Sequence, residues 1–141
     1  MVAPSDQQAE AESRTLVEVR IAASAAQISA VRVVAADLAA RQDFDLDAVS
    51  DLRMAVDEAC ATLVRLAAPA ATLSCLFMVG VSTIEVLATV AAAEEVQVPQ
   101  NTFGWRVLST LADEVQAVSG DDGGQPSVGI RLCLRRERTG G

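Results

Sequence analysis

The sequence predicts an α+β fold, a two-layer sandwich with helices on one face of a mainly antiparallel sheet. Three observations carry that expectation. A stretch of strict alternation opens the ordered part, two long stretches of helical period follow, and two adjacent, almost wholly apolar runs then read as a buried hairpin. Hydrophobic residues make up 51% of the chain and aromatics only 3%, so the core must be aliphatic and closely packed. At 141 residues there is room for one domain around one core.

Residues 1 to 13 are polar and acidic without periodicity and are expected to form a disordered arm, leaving a single domain over 14 to 138. In "TLVEVRIAAS", Leu16, Glu18 and Arg20 alternate with Val17, Val19 and Ile21, which marks a half-buried first strand. Residues 25 to 41 turn helical, with Ile28, Val31, Val34, Ala35 and Leu38 on one face. Asp45 or Asp47 can cap a second helix, whose apolar positions Val49, Leu52, Val56, Ala59, Cys60 and Leu63 run toward Pro69. "ATLSCLFMVG" and "STIEVLATVA" read as two strands joined near Gly80 and lying in the middle of the sheet. Residues 93 to 104, with Pro99 and Gly104, form a long irregular connection of the kind that often carries function. "WRVLSTLADEV" is then a short helix with Val107, Leu108 and Leu111 inward, and "VQAVSG" and "SVGIRLCLRRE" close the sheet around a polar turn.

Composition removes several function classes. The formal net charge is -8 and every one of the 11 basic residues is an arginine. Direct nucleic-acid binding, which needs a basic face to neutralise phosphates, is therefore not expected. With no histidine and no lysine there can be no Ser-His-Asp or Cys-His site, no Walker A lysine and no Schiff base. The 3 cysteines, Cys60, Cys75 and Cys133, show no paired spacing and read as reduced core residues. The start of the chain lacks a basic segment followed by an apolar one, so it is not a signal peptide, and a cytoplasmic location is expected. Residues 66 to 84 are uncharged, but Pro69, Thr72, Ser74, Gly80 and Ser82 interrupt them, which favours a buried hairpin over a membrane span.

The element order, with "DLRMAVDEACATLV" in the second helix and "FGWRVLSTLADEV" in the last, resembles the RsbW/SpoIIAB-type anti-sigma factors of the GHKL (Bergerat-type) ATPase and kinase superfamily, and among them the actinobacterial, UsfX-like members. The resemblance spans roughly residues 15 to 136. It implies a cytoplasmic, homodimeric protein that holds an alternative sigma factor of the stress or sporulation type away from RNA polymerase. An anti-anti-sigma protein of the STAS type would release that sigma factor, and in active members Mg-ATP phosphorylates a serine of the STAS protein.

Position by position, the resemblance places Glu58 where active members carry the base or water-orienting glutamate of phosphoryl transfer. Four residues on, the magnesium-binding asparagine is replaced by Thr62, whose hydroxyl is a weaker hard-oxygen ligand than an amide carbonyl. The expected Asp-x-Gly-x-Gly box is "ATVAAAEEVQVPQ", without a glycine, and the last glycine box keeps only Gly104, flanked by Phe103 and Trp105. Glycine serves in such loops because it admits close backbone approach to phosphate. From Glu85 to Asp122 there are seven acids and one base, Arg106, a balance that repels polyphosphate. The nucleotide-binding positions implied are thus Glu58, Thr62 and Gly104, with Thr62 as the metal ligand. No cofactor is required and Mg-ATP binding is expected to be weak.

Arg32 lies near an arginine that family members use against the sigma factor. Without the resemblance it reads as a solvated arginine on an amphipathic helix, and Asp51, Glu58, Thr62 and Arg65 read as a wet helix stripe. Asp57 is expected at the surface. Trp105, the single tryptophan, fits core filling better than an interface anchor. The leading expectation is an anti-sigma factor that works by binding, with the exposed faces of the first two helices in contact with the sigma factor. The alternative is an active serine kinase on the STAS antagonist, with Glu58 as base. A sensor histidine kinase fragment would need an acceptor histidine, which the chain lacks.

Overall fold

The computed structural model describes residues 14–136; the expected N-terminal arm lies outside the described residues, as do residues 137 to 141. Five strands, β1 (Thr15–Ala22), β2 (Thr72–Val79), β3 (Thr83–Ala91), β4 (Glu114–Asp122) and β5 (Gln125–Arg135), make one sheet in the order β1-β2-β3-β5-β4. Every neighbouring pair is antiparallel. The helices α1 (Ile28–Arg41), α2 (Leu46–Leu66) and α3 (Phe103–Leu111) give an α+β two-layer sandwich, as expected. The β2–β3 hairpin sits inside the sheet, which explains its near-continuous apolarity.

Inward side chains of three strands build the core: Leu73, Cys75, Phe77 and Val79 from β2, Ile84, Val86, Ala88 and Val90 from β3, and Val128, Ile130, Leu132 and Leu134 from β5. Ala35 and Ala39 on α1 and Ala55 and Ala59 on α2 are buried among them. Their small side chains let the two helices approach each other and the sheet closely, replacing aromatic bulk with short interhelical distances. Among the described residues no polar or charged side chain is buried.

Local signals fix the helix ends. A 3-10 turn over Ala25–Gln27 precedes α1, so the regular helix starts three residues later than its period implied. Asp45 caps α2 by accepting from the Ala48 amide at 2.8 Å, while Asp47 lies in the first turn and Arg65 in the last, both favourable to the helix dipole. The final helix is shorter than expected. It stops at Leu111, because the Asp113 amide donates to the Cys133 carbonyl at 2.9 Å and Glu114 and Val115 join β4. That strand also runs further than read, to Asp122, and turns back through Gly123 and Gly124, whose φ values of 63° and 91° suit a tight hairpin turn. No helix among the described residues is long and apolar enough to cross a membrane.

Candidate functional site

Asp57 and Glu58 are adjacent on α2, so their side chains leave the helix about 100° apart. Asp57 turns toward α1, where Arg32 Nε lies 3.5 Å from its Oδ1, with the two side chains 42% and 46% exposed. The Nε atom itself is buried and has no hydrogen-bond partner, so the contact is electrostatic. Glu58 turns the other way, onto the start of α3. A Cβ at Gly104 would stand 3.1 Å from Glu58 Cδ and 3.7 Å from its Cγ, and closer still to Oε1. The carboxylate thus occupies the space that a side chain at 104 would take.

Gly104 belongs to the first turn of α3. Thr102 caps that turn, its hydroxyl accepting from the Trp105 amide at 3.1 Å and its carbonyl from the Arg106 amide at 3.3 Å. Glu58 therefore rests at the positive end of a helix dipole, a favourable place for an anion. Thr62 lies one turn along α2, and its hydroxyl accepts from Arg65 Nη2 at 3.4 Å. A guanidinium at this oxygen competes electrostatically with any cation. Among the described residues there is no group of three or more His, Cys, Asp or Glu able to hold a metal ion.

The structure brings Glu58 and Gly104 together and keeps Thr62 on the same helix. Arg32 stands apart from them, on the α1 flank. Trp105 is half-buried and packs on the core, whereas Phe103 is 79% exposed.

Sequence reasoning missed three features. The first is an apolar component on the outer surface of the helical layer: Val33 on α1 is 67% exposed, and Leu46 and Met54 on α2 are 87% and 49% exposed. Val33 lies out of phase with the buried Val31, Ala35 and Leu38 of α1, and Leu46 and Met54 with the buried Leu52, Val56 and Leu63 of α2; that offset is the signal that could have found them. The second is a cavity of about 610 Å³ on the helix-free face of the sheet, lined by Glu85, Asp113, Glu114, Gln116, Arg131 and Cys133 among others. There Arg131 donates to Glu85 at 2.8 Å, which raises the guanidinium pKa, while burial first and Glu85 next push the Cys133 thiol up. The third is the approach of Cys60 and Cys75, whose Sγ atoms lie 3.7 Å apart in the core.

No protein-family model matches the chain. Over 125 residues, 85% of this chain, it is 38% identical to the protein called anti-sigma-F factor RsbW in Mycobacterium tuberculosis strain H37Rv, and equally to the protein of that name in strain CDC 1551 / Oshkosh. In each case the match covers 73% of the relative.

Proposed function

The chain belongs to the RsbW family of anti-sigma factors, and from that premise we propose that it sequesters an alternative sigma factor through the outer surface of α1 and α2. The observation that carries the reading is the set of exposed apolar side chains, Val33, Leu46 and Met54, on a helical layer whose neighbouring surface holds the Arg32–Asp57 contact. Exposed apolar side chains set beside charged ones suit a protein-binding surface. The chain's formal charge of -8 favours basic elements of a sigma factor as the ligand. A STAS-type protein competing for the same surface releases the sigma factor, and the complex is a cytoplasmic assembly around a homodimer of this chain.

In this reading the protein works by binding rather than by phosphoryl transfer. Its residues do not fit Mg-ATP. Glu58 lies at the helix start that a phosphate would need, Arg65 engages the hydroxyl of Thr62, and the connection after β3 has no glycine to pass beneath a base. Phosphate at Gly104 would meet the Glu58 carboxylate, and magnesium at Thr62 would meet a guanidinium. The kinase alternative draws support from one observation, the adjacency of Glu58 and Gly104, which are the two positions retained from the family's nucleotide boxes.

Co-purification of the full chain with its sigma factor, with and without Mg-ATP and with a STAS partner present, separates the two. The expected result is a stable sigma complex, indifferent to nucleotide, that the unphosphorylated STAS partner disrupts. Transfer of phosphate to a STAS serine, abolished by Glu58→Ala while sigma binding survives, would establish the kinase instead. Failure to bind any sigma factor would overturn the binding reading.

A further inference from the structure

We infer that Cys60 and Cys75 form a site of reversible thiol oxidation, a latent disulfide between α2 and β2 whose co-substrate is a small uncharged peroxide. Both residues are fully buried, at 0% exposure, and both are free thiols. Their sulfurs stand 3.7 Å apart, in hydrogen-bond contact, although 15 positions separate them in sequence. To reach the bond length of about 2.05 Å they must close by about 1.7 Å. In the sheet, Cys75 has Val19 and Ala88 as its cross-strand neighbours.

Burial chooses the oxidant. A bulky or charged disulfide reagent cannot reach either sulfur in the folded core, but a peroxide enters through brief local opening. The two thiols share one S–H···S contact in which either sulfur can donate, and the sulfur that accepts is the one eased toward thiolate and so attacks. That thiolate displaces hydroxide from the O–O bond and becomes a sulfenic acid. The other sulfur, giving up its proton, then attacks the sulfenic sulfur; the S–O bond breaks as the S–S bond forms, and the oxygen leaves as water. Overall two thiols lose two electrons and two protons, and one peroxide becomes two waters.

Cys133 takes no part. It sits on the opposite face of the sheet, in register with Glu85 on β3 and Glu114 on β4. The site is independent of which partner α1 and α2 bind.

The test treats the reduced, folded full-length chain with excess hydrogen peroxide, blocks remaining thiols by alkylation, and maps peptides by mass without reduction. The expected product is a Cys60–Cys75 cross-link, lighter than the reduced pair by two hydrogens and fully reversed by dithiothreitol. Cys133 remains outside the link, and Cys133→Ser forms the link at an unchanged rate. Cys75→Ala removes it. Because Cys75→Ala can also weaken the fold, the decisive measurement is the map of the unsubstituted protein. Recovery of both Cys60 and Cys75 as alkylated thiols after Cys133 has been fully oxidised would overturn the inference, as would a link that forms only in urea.

Discussion

Asp57 and Glu58 carry the same charge and adjoin in sequence, yet α2 gives them opposite surroundings. On the α1 flank Asp57 meets Arg32 at 3.5 Å, both side chains remain close to half-exposed, and apolar Val33 and Met54 lie open nearby. On the α3 flank Glu58 is pressed against a glycine whose missing side chain makes the space for it. The first arrangement is loose and available to a partner. The second is a packed junction that joins two helices. The difference teaches that one helix can lock one of two adjacent acids into a junction while leaving the other open to solvent.

The sharpest way to break the comparison is to fill the junction. Gly104→Val should cost about 2 to 3 kcal/mol of stability through overpacking against Glu58, measured by urea unfolding, and Glu58→Ala in the same chain should recover much of it. If the double variant is as unstable as the single one, the junction is not what Gly104 serves. On the other flank, Met54→Asp should leave the unfolding midpoint almost unchanged and weaken sigma binding at least tenfold, about 1.4 kcal/mol. Equal loss of stability and binding there would place Met54 in the fold and not in the contact surface. The smallest effect belongs to the ion pair. A double-mutant cycle on Arg32→Ala and Asp57→Ala should give a stability coupling of about 0.5 kcal/mol or less, fading in 1 M salt. A larger, salt-resistant coupling would make the α1 flank as rigid as the other.

Much of the fold was legible because it rests on local rules. Alternation in Leu16 to Ile21 marked β1, and the two apolar runs gave the central hairpin. An aspartate near the start of α2 announced its cap, although only the structure chooses Asp45 over Asp47. The end of α3 was not legible, since Leu111 and Val115 continue a helical spacing. Pairing with β5 overrides that spacing, and the Asp113 carboxylate accepts from the Arg135 amide at 2.7 Å to hold the change of direction. The site divides in the same way. Glu58 and Gly104 were found separately from their motifs, but their contact, like that of Cys60 with Cys75, joins elements distant in the chain. Only three-dimensional packing creates it.

Trp105 follows Gly104 directly, packs on the core, and is the one tryptophan in a chain with 0 tyrosines. Its indole is therefore a built-in optical reporter of the α2–α3 junction, with no second emitter to separate. A shift in emission on adding nucleotide reads that junction. An emission unmoved while a sigma factor binds would tell an observer, without any label, that recognition takes place on the other flank of α2.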